Sequence, residues 1–224
     1  MLFVERSFLA TKPWIDFTQE MWLGEHAGEW SPMERLLDIM TLASDLCVRV
    51  MEYTHSNGKS SSEDEILRTL ATFAEEGHRL RSDLYSWEEM AQIWPSSTKY
   101  NHQMMIAWVF YPAISIYLSG IYDYDRIWEA SGITTPGLPR TEVQQNVGKI
   151  LDRTALALKG TNVTALVFLF PLRIAGARVT TVEEQENIRT LLAQISCSFS
   201  VANAISSDLG EVWADPVPRL VTTA

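Results

Sequence analysis

His102 and Arg173 are polar side chains in two of the most apolar stretches of this sequence. His102 lies near the start of residues 101–122, which carry no formal charge, and Arg173 interrupts FLFPLRIAG at residues 168–176. A donor in apolar surroundings can hydrogen-bond a ligand carbonyl and stabilise the charge that develops on its oxygen. We therefore take both as candidate catalytic residues. The alternatives are a histidine satisfied within the core and an arginine that bridges two helix ends.

Large aromatic side chains are concentrated in the same charge-free stretch. The chain has eight Trp, seven Tyr and eight Phe, and such rings offer an apolar ligand flat faces with polar edges. We predict that Met105, Trp108, Tyr111 and Phe168 line a substrate pocket. The competing interpretation is that aromatic residues at helical spacing only fill the core.

The sequence lacks the motifs of the common hydrolytic and cofactor-dependent enzymes. It has no G-x-S-x-G, H-E-x-x-H, P-loop or G-x-G-x-x-G pattern. Its two cysteines, Cys47 and Cys197, lie in separate apolar patterns and make no metal motif. We therefore expect no cofactor and no metal, so any catalysis has to come from shaping and hydrogen-bonding the substrate.

One pattern near the C-terminus supports a different chemistry. Asn203, Ser207 and Glu211 recur every four residues, which is the magnesium-binding spacing of class I terpene cyclases and places three oxygen ligands on one helix face. Asp123 and Asp125 are the candidate second motif. Such enzymes normally use more carboxylates and a longer chain, so a metal-dependent cyclase is the minor alternative.

Composition indicates one globular domain. With 224 residues, 46% hydrophobic and 21% charged, the chain can bury a single large core. Its formal net charge of −10 disfavours direct binding to nucleic acid. Residues 101–122 are long enough to span a bilayer, but their His, Gln, Tyr, Ser and Pro content favours a buried helix. Glu5 and Arg6 interrupt the place where a secretory signal needs apolar residues, which favours an intracellular protein.

Helix signals dominate the chain. Ser31, Pro32 and Glu34 form one helix start, and Ser62 with Glu65 forms another. We predict helices over residues 32–57, 62–94 with a candidate break at Ser86, 99–120, 125–130, 141–158, 162–177, a seventh helix capped by Thr180 with Glu183 or Thr181 with Glu184, and 200–213. Residues 161–170 are rich enough in Val, Thr and Phe for a strand to compete.

Two prolines lie inside predicted helices. Pro112 and Pro171 each remove an amide from the helical ladder and should bend the chain, and Pro171 can also free a carbonyl beside Arg173. Residues 132–140, GITTPGLPR, form the clearest loop. The predicted fold is all-α, a single-domain irregular bundle of about eight helices with Pro-kinked central helices. It occupies residues 31–224, after an N-terminal extension at residues 1–30 that packs on the core.

Three segments, in this order, resemble the C-terminal regulatory domain of fungal zinc-cluster transcription factors. AISIYLSG at residues 113–120 is similar to a central helix of that family, FPLRIAG at 170–176 to its most distinctive segment, and DLGEVW at 208–213 to its closing helix. The resemblance implies an all-helical regulatory fold without a catalytic site. Family members normally carry a zinc cluster before this domain, whereas we expect this chain to be a stand-alone domain.

We therefore expect a repurposed regulatory-type domain that binds an apolar small molecule. The main hypothesis is a cofactor-independent cyclisation or cycloaddition, of the Diels-Alderase kind, in fungal natural-product biosynthesis, in which His102 or Arg173 donates to a substrate carbonyl. The alternatives are a transcriptional regulator that acts through a DNA-binding partner and a non-catalytic ligand carrier. We expect a cytoplasmic location, or a nuclear one for the regulator, and a homodimer is one option.

Overall fold

The computed structural model describes residues 32–56, 62–93, 101–123, 125–160 and 163–214 together with Pro13. These residues form eight α-helices and one 3-10 turn, with no strand among them. The predicted all-α fold is confirmed. In chain order the elements are α1 Pro32–Ser56, α2 Glu63–Ile93, α3 Asn101–Gly120, α4 Ile127–Ser131, α5 Arg140–Gly160, the 3-10 turn Ala165–Phe168, α6 Leu169–Gly176, α7 Val182–Ser196 and α8 Val201–Ala214.

Capping residues explain where three helices begin. α1 begins at Pro32, because proline fits the first helical position, where the amide has no intrahelical acceptor. α2 follows Ser62, whose Oγ accepts a hydrogen bond from the Glu65 amide at 3.4 Å. α7 follows Thr181, which forms a complete capping box with Glu184. Of the two caps predicted for this helix, the second is confirmed.

Other boundaries differ from the sequence predictions or lie beyond what the structure describes. α2 runs through Ser86 without a break. The strand alternative is wrong for the described residues 163–170: none of them is in a strand, residues 165–168 form the 3-10 turn, and residues 169–170 begin α6. Ser31, and residues 1–30 apart from Pro13, lie outside the described residues. The N-terminal extension and its packing therefore stay a prediction.

The chain forms two compact units. The first comprises residues 1–94 and 120–137, and the second comprises residues 95–119 and 138–224. In the first unit, α1 packs against α2. In the second, α6 packs against α5, α7 and α8. Each unit therefore buries its own set of helix faces.

The charge-free segment is helical from Asn101 to Gly120, and it is buried, as predicted, from Ala107 onward. From Ala107 to Gly120, every residue of α3 except the half-buried Trp108 and Tyr117 is buried. Pro112 lies inside this helix. Among the described residues, no helix combines the length and the hydropathy that a membrane span needs.

In the first unit, the connection between α4 and α5 is held on α2 by side chains. Buried Arg81 donates from Nη2 and Nε to the Pro136 carbonyl oxygen, at 3.0 and 3.3 Å. The exposed His78 ring donates from Nε2 to the Thr134 carbonyl oxygen at 3.1 Å. The predicted loop is confirmed as non-helical at residues 133–139, and its position depends on two side chains one turn apart on α2.

Gly77 is essential to this arrangement because it allows two groups to approach α2 closely. A Cβ atom at this position would lie 1.9 Å from the Tyr122 Oη and 2.8 Å from the Pro136 Cγ. Tyr122 uses the space to donate its hydroxyl to the Phe73 carbonyl oxygen at 2.9 Å. A glycine in a helix interior costs about 1 kcal/mol relative to alanine, and here close packing offsets that cost.

We predict that Gly77→Ala destabilises the protein by about 1–3 kcal/mol, because the added methyl group displaces Tyr122 and Pro136 by more than helix propensity returns. Gly148→Ala is the matched control, since Gly148 lies inside α5 and a Cβ atom there meets nothing within 4 Å. This control should gain about 0.5–1 kcal/mol. Urea unfolding of both variants measures the difference, and equal stability of the two would contradict the close approach at Gly77.

Candidate functional site

The segment LFPLRIAG folds as a short helix, and its proline lies where it breaks no intrahelical hydrogen bond. Pro171 is the third residue of α6, in the first turn, where backbone amides have no intrahelical acceptor. The prediction of one helix over residues 162–177 broken at Pro171 is therefore wrong. The 3-10 turn ends at Phe168 and α6 begins at Leu169, so the proline fits a helix start.

α6 and α8 meet at Gly176. A Cβ atom on Gly176 would lie 2.5 Å from Leu209 Cδ1 and 2.9 Å from its Cδ2, so any larger residue would force the buried Leu209 side chain to move. Trp213 donates from Nε1 to the Gly176 carbonyl oxygen at 2.8 Å, which satisfies a backbone group at the end of α6. The Arg189 guanidinium carbon from α7 lies 4.8 Å from the centre of the Trp213 ring. FPLRIAG and DLGEVW are thus the two sides of one helix contact.

Arg173, predicted as a catalytic donor, lies at the edge of this contact. Its Nη2 is 3.2 Å from Asp208 Oδ2, and the two side chains are 55% and 58% exposed. An ion pair as exposed as this contributes about 0–1 kcal/mol. The sequence alternative, an arginine that bridges two helices, describes this geometry, and the catalytic role of Arg173 stays a prediction.

The remaining predicted site residues occupy different environments. His102 is exposed in the first turn of α3, outside the buried part of that helix. Phe168 is fully buried, and half-buried Met105 packs against the same core of the second unit. Tyr111 is buried, and its ring centroid lies 6.2 Å from that of Trp108 in an edge-to-face arrangement. The structure thus places the four predicted pocket residues at least half-buried and both predicted donors at the surface.

Pro112 removes one backbone hydrogen bond from α3, and a side chain from α5 donates to the carbonyl concerned. In an α-helix the amide of residue 112 would bond to the carbonyl of Trp108, but Pro112 has no N–H. Arg153 of α5 donates from Nη1 to that Trp108 oxygen at 2.6 Å. Its guanidinium carbon also lies 5.0 Å from the centre of the Trp108 ring.

Sequence reasoning missed Arg153. The signal was partly present, because a helix-interior proline always releases the carbonyl four residues earlier. The identity of the donor was not readable, since Arg153 lies 45 positions away along the chain. The same reasoning at Pro171 predicted a released carbonyl beside Arg173. Pro171 lies in the first turn of α6, however, where the missing amide would have had no intrahelical acceptor.

Aromatic contacts join α3 to α6 in the second unit. The Phe110 and Phe170 rings stack with centroids 5.8 Å apart, and Tyr117 meets Phe170 edge-on at 6.2 Å. Such pairs contribute about 0.5–1.5 kcal/mol beyond the area they bury. The concentration of rings that suggested a ligand pocket is therefore used, at least in part, for helix packing.

The first unit contains a network of charged side chains centred on Arg49. Arg49 bonds Asp45 at 2.7 Å and also Glu76, and its guanidinium carbon lies 5.7 Å from the Phe73 ring centre. Burial raises the pKa of the Tyr122 phenol, and the negative charge of Glu76 raises it further. The phenol is therefore a neutral donor over the physiological pH range, which suits its bond to the helix backbone.

The pattern that suggested a magnesium site lies at the surface. Asn203, Ser207 and Glu211 are all exposed on α8. Within the described ranges, no group of three or more His, Cys, Asp or Glu side chains is arranged to hold a metal ion. The metal-dependent alternative gains no support from the geometry of α8.

Comparison with known protein families gives one match. The family model described as the fungal specific transcription factor domain matches residues 30–216. The matched range includes all eight helices and therefore both sides of the α6–α8 contact. Neither a search of curated proteins nor one of solved structures found a match.

We predict that Arg153→Met destabilises the protein by about 1–3 kcal/mol, because the half-buried hydrogen bond from Arg153 to the Trp108 carbonyl is lost. In a Pro112→Ala background the same change should cost about 1 kcal/mol less, since the alanine supplies the missing amide. Urea unfolding of the two single variants and the double variant measures this coupling. Strictly additive effects would show that Arg153 does not compensate for the proline.

Proposed function

The chain belongs to the fungal specific transcription factor domain family, and from this premise we propose that it is a regulatory domain that controls transcription. The observation that carries the proposal is the family match over residues 30–216. This function was the first alternative from the sequence and now replaces cyclisation as the preferred one. The segments that carry the resemblance, FPLRIAG and DLGEVW, pack against each other, as expected if they are typical of the family because of its fold.

DNA contact in this proposal comes from another region or from a partner protein. The net charge of −10 opposes the counterion release by which proteins gain affinity for phosphate backbones. In this proposal the described helices bind a signal and transmit its effect, and a basic DNA-binding region contacts the DNA. A nuclear location follows from this role.

The signal is proposed to be an apolar small molecule. The second unit has an interior of aliphatic and aromatic side chains, which include Phe168 and, at its edge, Met105. Such an environment suits an uncharged ligand, since a buried charge without a partner is costly. A second copy of the chain is a further proposed partner.

Cofactor-independent cyclisation and non-catalytic carriage stay predictions from the sequence. His102 and Arg173, the donors on which catalysis depended, are both exposed, and no contact among the described residues favours turnover over binding. An enzyme would form product in the presence of a metal chelator, whereas a carrier would bind saturably without turnover.

The regulatory function is tested by fusing the chain to the DNA-binding domain of a bacterial repressor in yeast, with a reporter gene under the matching operator. We predict that the fusion changes reporter expression at least about fivefold relative to the DNA-binding domain alone, which corresponds to about 1 kcal/mol of recruitment free energy. Trp213→Ala should abolish most of the change, because it removes the bond to Gly176 and loosens α8.

Trp213→Phe serves as the control, since it keeps an aromatic ring beside Arg189 while it removes the indole donor and one of the two fused rings; it should retain an intermediate response. Immunoblots and circular dichroism establish equal abundance and folding. A folded, nuclear, equally abundant fusion that leaves reporter expression unchanged would contradict the proposed regulatory function.

A further inference from the structure

Thr154 carries a buried hydroxyl that finds no hydrogen-bond partner among the described residues. The residue lies in α5 and is fully buried, and within the described part of the chain its Oγ1 bonds to no other group. A buried hydroxyl without a partner costs about 1–3 kcal/mol. Native proteins rarely keep such a group unless another molecule satisfies it.

Other threonines in the helices of this protein behave differently. Thr41, Thr69, Thr72 and Thr190 each donate to the carbonyl oxygen four residues earlier, at 2.9–3.0 Å. All four of these bonds lie at exposed positions, where water could have served instead. Thr154 is buried, where bulk water does not compete, and its hydroxyl makes no such bond among the described residues. Its hydroxyl is therefore available to a group outside the backbone of its own helix.

The surroundings of Thr154 define what kind of group that is. Ile150, Leu151 and Ala157 lie three or four positions away on the same face of α5, and all belong to the apolar core of the second unit. Val109 of α3 and Phe168 belong to this core as well. A molecule that reaches the hydroxyl must therefore be largely apolar. It must also carry an oxygen that can accept or donate one hydrogen bond.

The neighbouring charge points the same way. Arg153, the residue before Thr154, holds its guanidinium at the Trp108 carbonyl and ring. A fixed positive charge on the adjacent residue disfavours a cationic ligand. An anion is disfavoured by the apolar core itself, since burying a charge is expensive. An uncharged carbonyl or hydroxyl compound remains.

We propose that Thr154 is the hydrogen-bonding residue of an effector site inside the second unit, and that the effector is an uncharged, largely apolar molecule with a carbonyl or hydroxyl oxygen. The proposal rests on the regulatory function proposed above, for which it names the ligand class and the residue that recognises it. Phe168 and the aliphatic residues of α5 supply the apolar contacts, and Thr154 selects for the oxygen.

The probe for this site is 6-propionyl-2-(dimethylamino)naphthalene, an uncharged aromatic ketone whose fluorescence changes when it leaves water. The full chain should bind it saturably. Thr154→Val, which replaces the hydroxyl with a methyl group of the same shape, should weaken binding about fivefold, as expected for the loss of one hydrogen bond. Thr154→Ser keeps the hydroxyl and should bind within about twofold of the unchanged protein, since it removes only one methyl contact.

A second measurement separates ligand recognition from a structural role. Without ligand, Thr154→Val should raise Tm by about 2 °C, because it removes a buried group that has no partner. A lowered Tm would show that the hydroxyl is bonded within the folded protein and would overturn the proposal. So would equal probe affinity for the valine variant and the unchanged protein, or no saturable binding at all. The reporter fusion gives an independent result, so a failed site with an active fusion leaves the regulatory function standing.

Discussion

The second unit depends on how closely α6 can approach α8. α6 has only eight residues, which is too short for a helix to be stable alone, so its stability must come from packing. The approach is possible because Gly176 presents no side chain to Leu209. Once the helices are this close, Trp213 reaches the Gly176 carbonyl, and Arg189 covers the Trp213 ring. Gly176 and Leu209, which are 33 positions apart in sequence, thus lie in direct contact because residue 176 has no Cβ atom.

Arginine side chains donate to backbone carbonyls that lie outside regular helical hydrogen bonding. Arg153 takes the place of the amide that Pro112 lacks, and Arg81 holds the Pro136 carbonyl. These bonds fix the backbone where regular helical bonding cannot. Long polar side chains that would otherwise suggest binding or catalysis are therefore committed to architecture.

The sequence predicts those helices whose start or burial depends on residues close together in the chain. Proline at a first helical position, Ser62 and Thr181 as caps, and the apolar run of α3 each depend on neighbours within a few residues, and the corresponding helices lie where they were predicted. Tertiary partners were not readable in the same way. Nothing near Gly77 in the sequence indicates that Tyr122 approaches it, and nothing near His102 shows that the first turn of α3 is exposed. The candidate donors were chosen from local apolarity, which does not determine which helix face is buried.

The most direct test of this account is a double-mutant cycle between Gly176 and Leu209, measured by urea unfolding. Gly176→Ala alone should cost about 1–3 kcal/mol, because its methyl group would overlap the Leu209 side chain. Leu209→Ala alone should cost about 2–5 kcal/mol as a buried leucine truncation. If the close approach holds α6 to α8, the double variant should be at least about 1 kcal/mol more stable than the sum of the single effects predicts, because shortening Leu209 makes room for the methyl group. Additive effects would contradict the account.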